Sequence, residues 1–468
     1  MVTNSLLWLR SDVRIDDNPA LDFALAQQTK RAIFMTTPKQ WRSHNMAPIK
    51  VDFILRHLQL LQQQLAHLGI ELDVVEVDDF QQQVIFLQQY CQQHQINHII
   101  ANQELEVNER QRDEAVSQLP LSLTLFEADV IVPKGKVLNK QGQMFKVFTP
   151  FKKAWLSYLI DHYDQLIEPT RVPYSTPVAE EAREITFKTA FDTISSAQWP
   201  LANDYLNQVL PTFLSEKVTD YQTLRDIPSV KATSGLSPYL AIGAISAKTV
   251  VRALLRRDPE VLSHQSGGTF CWLNEIIWRE FYRHLLDHFP KLAKGKSFNA
   301  KYDDLPWVGN AANLLAWQQG KTGYPIVDAA MRQLVKTGWM HNRLRMIVAS
   351  FLSKHLLLDW RLGEQFFSQH LIDGDLAANN GGWQWAAGTG CDAQPYFRIF
   401  NPISQSEKFD PNGIFIRKYI PELAHVPDKY IHFPHQFLAK EQSSDCYWPA
   451  IVDHKQARLA ALEFYKQA

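Results

Sequence analysis

The chain has 468 residues, enough for roughly two to four domains with cores of their own. Its 46% hydrophobic and 21% charged content is that of an ordinary globular protein; no apolar run of about 18 residues and no leader-like N-terminus is present, which excludes a helical membrane protein and implies a cytoplasmic one. A net charge of -1 excludes a uniformly basic chain, and Cys91, Cys271, Cys391 and Cys446, scattered without C-x-x-C spacing, suggest neither a zinc site nor a disulfide framework.

The first 130 residues alternate β-rich runs with helical patterns. Strands are expected at 6–9, 32–36, 72–77, 98–101 and 123–126, and helices at 19–28, 51–68, 80–94 and 109–119. That order implies a parallel sheet with right-handed crossovers, an α/β doubly wound domain. No G-x-G-x-x-G follows the first strand, so a ligand at the strand C-terminal ends is held by other means than the dinucleotide fingerprint. R-S-D-V-R-I-D-D-N (10–18) reads as a salt-bridged loop in which Asp17 or Asn18 caps a helix starting at Pro19.

Between 166 and 200 the chain is proline-rich and aperiodic, with Pro169, Pro173 and Pro177, as an interdomain linker would be. Everything beyond is helical in pattern, a large all-α domain with a subdivision near residue 290. The expected organisation is an α/β domain at 1–130, a linker at 131–199 and a helical domain at 200–468. Residues 230–350 hold sixteen Lys plus Arg against eight Asp plus Glu, so the near-neutral average conceals a basic region suited to a nucleic-acid backbone. Thirteen tryptophans serve to fill cores or to stack on flat ligands.

Within the helical half, Tyr221 and T-S-G-L-S (233–237) place hydroxyls and backbone amides ahead of a helix, a pattern that suits a pyrophosphate and equally a simple helix cap. The helix expected at 269–289 carries Phe270, Ile276, Ile277, Phe281 and Leu285 on a core face. Trp272, Glu275, Arg279 and Tyr282 share another face, with Trp278 between. There a surface Glu275–Arg279 pair competes with a Glu275 directed into a cavity. In W-M-H-N-R-L-R-M (339–346) and beyond, Asn342, Arg345, Met346 and Ala349 fall on one helical stripe of the kind that points into a core. D-G-D-L-A-A-N-N-G-G-W-Q-W (373–385) adds Asp373, Asp375, Asn379 and Asn380. Polar groups at core spacing need partners, so this region reads as the wall of a polar cavity for a large ligand, with a buried Arg345 to Asp373 or Asp375 ion pair as the alternative. D-G-D lacks the later ligands and the glycine of a calcium loop.

With W-L-R-S-D-V-R (8–14) and G-K-T-G-Y-P-I-V-D-A-A-M-R-Q-L (320–334), these motifs resemble the photolyase and cryptochrome family over essentially the whole chain, specifically its bacterial class I photolyases for cyclobutane pyrimidine dimers. The resemblance implies FAD, held by Tyr221, Thr233, Ser234, Gly235, Leu236, Ser237, Arg279, Arg345, Asp373, Gly374, Asp375 and Asn379. Its diphosphate would lie on 233–237, the Arg345–Asp373 pair beside its ring, and Asn379 at its reactive nitrogen, where an amide suits an anionic ring better than a carboxylate. Light would drive an electron from reduced FAD to an everted dimer, whose ring opens before the electron returns. Glu275 would hydrogen-bond the dimer and Trp278 and Trp385 would stack on it, with Arg225, Asn342, Met346, Arg398 and Gln405 as further DNA contacts. Trp383, Trp360 and Trp307 match the family's three-tryptophan electron relay.

His44, Asn108, Glu109 and Lys294, with Asn45 and Met46 alongside, match residues that hold a folate antenna, 5,10-methenyltetrahydrofolate. Two positions depart from the pattern: Ala293 stands where relatives carry a cysteine, and Gly235 where many carry an arginine. The expectation is a monomeric, light-driven repair enzyme for DNA containing pyrimidine dimers, with no membrane or metal partner. Asn342 and Met346 stand where enzymes for the (6-4) lesion carry histidines. The rival is a cryptochrome-type light sensor signalling through protein partners, set against which the chain has no long polar tail before Ala468. A flavin electron carrier without DNA is disfavoured by the basic region.

Overall fold

The computed structural model describes residues 4–169, 187 and 189–467; Pro173, Pro177 and much of the expected linker lie outside the described residues. The chain forms two compact units. The first comprises Met1–Thr219, Ser234–Pro290 and Ile372–Gly374, the second Asp220–Thr233, Lys291–Leu371 and Asp375–Ala468.

In the first unit β1 (Ser5–Leu9), α1 (Pro19–Ala26), β2 (Arg31–Thr36), α2 (Pro38–Ser43), α3 (Pro48–His67), β3 (Glu71–Glu76), α4 (Phe80–Gln93), β4 (His98–Asn102), α5 (Val107–Ser117) and β5 (Ser122–Phe126) follow in order. The five strands are all parallel in the order β3-β2-β1-β4-β5, with Leu7 opposite Ala32 on one side and Ile100 on the other. Side chains alternate across a strand, so Leu6 and Trp8, Ile33 and Met35, and Ile99 and Ala101 share one face, where Leu87 and Cys91 of α4 and Val116 of α5 bury them. Each Leu, Ile, Val or Met buried there contributes about 1.5–3 kcal/mol. The sequence pattern finds every one of these elements except α2, whose six residues are too few to display a period. Asn18 is the cap of α1, its Oδ1 accepting from Leu21 N at 3.1 Å with Pro19 in the first turn.

The order places a topological switch at β1 and β4, the usual ligand crevice of such sheets. Here it is filled by charge pairs. Arg10 Nη1 lies 2.6 Å from Asp113 Oδ1 and Arg112 Nη2 2.7 Å from Glu104 Oε2, and both guanidiniums lie over the Trp8 ring at 4.5 and 4.6 Å. Side chains of the chain itself thus pack between the ends of β1 and β4, and the salt-bridged reading of 10–18 holds.

Three further helices complete the part of the unit that bears on function. α6 (Phe148–Asp161) lies inside the stretch expected to be linker and buries Phe148, Phe151, Trp155, Leu156 and Leu159 at helical spacing. α7 (Ser237–Ala241) follows the T-S-G-L-S loop, and α8 (Gly267–His288) is the long helix expected at 269–289. α8 is fixed to the 129–132 segment. Arg279 and Arg283 reach Asp129 at 3.1 and 2.5 Å, Glu280 accepts from the amides of Ile131 and Val132 and from Trp155 Nε1, and His284 Nε2 lies 3.0 Å from Val132 O.

The second unit is helical. α9 (Pro325–Thr337), α10 (Asn342–Ser350), α11 (Trp360–His370), α12 (Leu376–Ala387) and α13 (His454–Lys466) carry the residues of interest. Its core gathers Trp317, Met331, Leu344, Ile347, Phe351, Trp360, Phe367 and Trp383. Gly363 is where α11 meets α12: a Cβ there would fall 2.1 Å from Trp383 Cη2, so only glycine allows this approach. Asp328 is buried and accepts five hydrogen bonds, from Thr322 N and Oγ1, Gly323 N, Tyr447 OH and Trp448 Nε1, which knots residues 447–448 to the start of α9. Among the described residues no helix is long and apolar enough to cross a membrane.

Candidate functional site

In the first unit the loop before α7 turns through Gly235, whose φ of +67° is a left-handed conformation that glycine adopts without strain. The turn is pinned from outside: Trp272 Nε1 donates to Ser234 Oγ at 3.3 Å and Tyr205 OH to Ser234 O at 3.1 Å. Leu236 is buried beneath, and Ser237 opens α7 with an exposed side chain. Ser237 Oγ donates to Asp373 Oδ2 at 2.6 Å, and Lys50 Nζ donates to Gly374 O at 2.6 Å. The start of the D-G-D segment is therefore held to the T-S-G-L-S loop by the Ser237 hydroxyl and to α3 by the Lys50 ammonium. Lys50 has no motif to announce it.

On α8 the face assignment needs correction. Trp272 is 2% exposed and belongs to the core, whereas Cys271, Glu275, Trp278, Arg279 and Tyr282 form a half-buried stripe with a spacing of three or four residues. Arg279 is engaged by Asp129, through both the carboxylate and the Asp129 carbonyl at 2.8 Å. Burial pushes the Asp129 carboxyl up, but Arg283 and Arg279 outweigh it and hold the group below the usual carboxylate range.

In the second unit Tyr221 is buried with the Arg225 guanidinium 5.3 Å over its ring, and Thr233 is half-buried. α10 starts at Asn342, capped by His341, rather than near Trp339. The stripe expected to face the core runs instead along the flank. Asn342 is exposed, Arg345 and Met346 half-buried and only Ala349 buried, while Leu344, Ile347 and Val348 make the core face. Arg345 Nε donates to Met340 O at 2.8 Å. Burial lowers the His341 ring to about 4, so it is neutral at pH 7.

Asp375 caps α12, accepting from Ala378 N at 2.8 Å. One turn on, Asn379 Nδ2 donates to Glu364 O at 2.9 Å and to Ser368 Oγ at 3.0 Å, so both amide hydrogens are used and Oδ1 is the atom the side chain has to offer as an acceptor. Asn380 Nδ2 donates to Glu364 Oε1 at 2.9 Å, and Gln384 Nε2 to Asn380 Oδ1 at 2.9 Å. Burial raises the Glu364 carboxyl to about 7 against the pull of Asn380 and Arg361. Glu364 and Ser368 are missed by sequence reasoning; the only signal is that each lies on the same face of α11.

Trp360 and Trp383 are buried and Trp307 is half-buried. Trp383 meets Phe367 and Trp317 edge-on, at centroid distances of 4.9 and 6.0 Å, and Trp307 packs on Phe464 of α13 at 5.2 Å. All three indole N–H groups lack an acceptor among the described residues. Trp385 and Gln405 are half-buried and Arg398 is exposed.

The antenna candidates cluster in part. In the first unit Asn108 Nδ2 and His44 Nε2 are 2.9 Å apart, His44 Nδ1 lies 3.7 Å from Glu109 Oε1, and Phe80 packs edge-on against the His44 ring at 5.7 Å. Glu109 Oε2 is buried without a partner among the described residues, and burial, with Glu106 and Glu104 nearby, pushes that carboxyl up to about 8. Lys294 belongs to the second unit and is exposed.

Comparison with known proteins bears on both units. A family described as DNA photolyase matches residues 5–173, and one described as the FAD binding domain of DNA photolyase matches residues 272–467. The chain is 46% identical to the deoxyribodipyrimidine photo-lyase of Escherichia coli (strain K12) over 471 residues, covering 100% of this chain and 99% of that one. It is 46% identical to the deoxyribodipyrimidine photo-lyase of Vibrio cholerae over 477 residues, covering 99% of each. The crystal structure of a Synechocystis cryptochrome superposes with a TM-score of 0.81 at 27% identity, covering 99% of each chain.

Proposed function

Because the chain belongs to the DNA photolyase family, we propose that it is a light-driven deoxyribodipyrimidine photo-lyase that repairs cyclobutane pyrimidine dimers in DNA, with FAD as its redox cofactor. One observation carries this reading: identity of 46% to enzymes of that name is maintained end to end, whereas the cryptochrome that shares the fold, with a TM-score of 0.81, is only 27% identical. Fold alone does not separate repair from signalling; the residues that line the site do.

The FAD site is proposed at Ser234, Gly235, Leu236, Ser237, Arg279, Asp373 and Gly374 of the first unit and at Tyr221, Thr233, Arg345, Asp375 and Asn379 of the second. The donor set fits the group. The Gly235 turn, the Ser237 hydroxyl and the amides at the start of α7 suit a diphosphate, and Asn379 Oδ1 suits an N–H of a reduced ring. Bound and reduced, FAD supplies on excitation the electron that opens the cyclobutane ring and then recovers it.

The chain's own residues bind, orient and shield. Glu275 accepts a hydrogen bond from the everted bases, and Trp278 and Trp385 stack on them, which offsets part of the few kcal/mol needed to unstack a damaged step. Arg225, Asn342, Met346, Arg398 and Gln405 are proposed as further DNA contacts. Trp383, Trp360 and Trp307 are proposed to carry electrons to oxidised FAD; with no acceptor at hand, an oxidised indole keeps its proton long enough to pass the hole on.

His44, Asn108, Glu109 and Lys294 are proposed to bind a folate antenna, 5,10-methenyltetrahydrofolate. The unpartnered Glu109 Oε2 supports this, since a protonated carboxyl there can both donate and accept at a pterin edge. Antenna binding is assigned to residues 1–130, connection to 131–199, and flavin and DNA binding to 200–468, in a monomeric cytoplasmic protein. The test is an absorption spectrum of purified protein before and after blue illumination with dimer-containing oligonucleotide. Flavin bands and restored thymine absorbance are expected; a flavin-bearing protein that leaves dimers intact while binding a protein partner on illumination is instead a sensor.

A further inference from the structure

Trp278 and Phe148 lie face to face, with centroids 3.6 Å apart and planes 6° from parallel. Two free rings prefer an offset or edge-on arrangement at roughly 4.5–7 Å, and Phe148 and Trp278 each meet Phe281 in that edge-on way, at 5.9 and 5.8 Å. The direct overlap is therefore imposed by the surroundings. Phe148 is the first residue of α6, far from α8 in sequence, and is 7% exposed, whereas Trp278 stays half-buried. Lys152, one turn along α6, places Nζ 5.8 Å over the Phe148 ring and 5.4 Å over Phe270.

We infer that Phe148 is a positioning residue for lesion recognition: it backs Trp278 so that the indole is held in one plane and offers its remaining surface to an everted pyrimidine. This rests on the proposed lesion contact of Trp278. The reason is entropic and electrostatic together. An unsupported half-exposed indole samples several orientations and must be ordered when a base arrives, while one packed face to face on Phe148, edge-on to Phe281 and against Tyr282 at 5.7 Å is ordered beforehand. The Lys152 ammonium over the Phe148 ring adds a cation–π attraction that helps hold the phenyl in place. A helix start whose only business was to close the core would have buried Trp278 as fully as Trp155 or Trp272.

The test measures binding of the FAD-loaded protein, in the dark, to oligonucleotides with and without one dimer. Phe148→Leu keeps the apolar volume but removes the ring face, Phe148→Tyr keeps the face, and Trp278→Leu removes the proposed lesion contact itself. Phe148→Leu is expected to weaken dimer binding about three- to tenfold. Affinity for undamaged DNA is expected to stay within about twofold of the parent, and Phe148→Tyr to restore the parental preference. Unaltered or tighter dimer binding by Phe148→Leu overturns the inference, tighter binding meaning that Phe148 occupies the base's place. If Trp278→Leu is also without effect, the lesion contact is what fails; if Trp278→Leu alone weakens binding, only the role of Phe148 does.

Discussion

The hydroxyl of Ser237 donates to the Asp373 carboxylate at 2.6 Å, joining two motifs that are 136 residues apart in the chain. This contact sets the spacing between the loop proposed for the FAD diphosphate and the segment proposed for the ring. Ser237→Ala removes it and leaves Asp373, 8% exposed, with one donor fewer. A hydrogen bond to a charged group is worth about 1.5–3 kcal/mol, so FAD should dissociate roughly tenfold or more readily. Titration of apoprotein with FAD, followed by flavin fluorescence, checks this.

Glu275 lies on the half-buried stripe of α8 with Trp278 and Tyr282. Glu275→Ala should leave flavin content intact and lower repair per absorbed photon by roughly tenfold, the effect of removing one charge-assisted hydrogen bond from the reacting state. Counting dimers split against photons absorbed by reduced enzyme decides it. An unaltered yield removes the residue from the mechanism.

For the relay, Trp307→Phe should slow photoreduction of oxidised FAD by at least tenfold while repair by chemically pre-reduced enzyme is unimpaired, because repair needs no electron from outside. Flash photolysis with and without prior reduction separates the two. Photoreduction at the parental rate would falsify the assignment of Trp307 as the outlet.

Glu364, one residue past the Gly363–Trp383 contact, has its carboxyl raised by burial to about 7 from an ordinary 4.5. The folded protein thus binds more protons than the unfolded chain between those values, and stability falls as pH rises across that window. The penalty is complete above about pH 7 and absent below about 4.5. Glu364→Gln keeps an acceptor for Asn380 Nδ2 and should raise stability on the order of 1–3 kcal/mol at pH 8, with little effect at pH 4.5. Urea unfolding at the two pH values measures it, and an equal gain at both would mean that charge is not the cause.

Asp328 tests the second unit's architecture without touching the proposed chemistry. Asp328→Asn keeps the size but turns an NH2 toward donors such as Tyr447 OH and Trp448 Nε1. A loss of about 3 kcal/mol is expected, since buried donors then face a donor. Denaturant midpoints report it, and flavin spectra in mild conditions should not differ from the parent's.

The sequence alone determined the first unit's alternation of strand and helix, because buried parallel strands are continuous apolar runs and helices of three or more turns display a 3.6 period. Through long motif matches it also showed the DNA photolyase family to which the chain belongs. What it could not decide was which partner each polar side chain would find. Trp272 went to the core and Trp278 to the stripe, Arg279 to Asp129, and the switch-point crevice to Arg10, Arg112 and their carboxylates. Lys50 carries no local signature at all, and Ser368 and Glu364 only a shared face of α11. Hydrogen bonds and ion pairs between distant segments depend on tertiary distances of about 3 Å, and periodicity constrains a residue's face only to within about a quarter turn. The chain's pattern therefore fixes which elements form, and only their packing fixes which side chains meet.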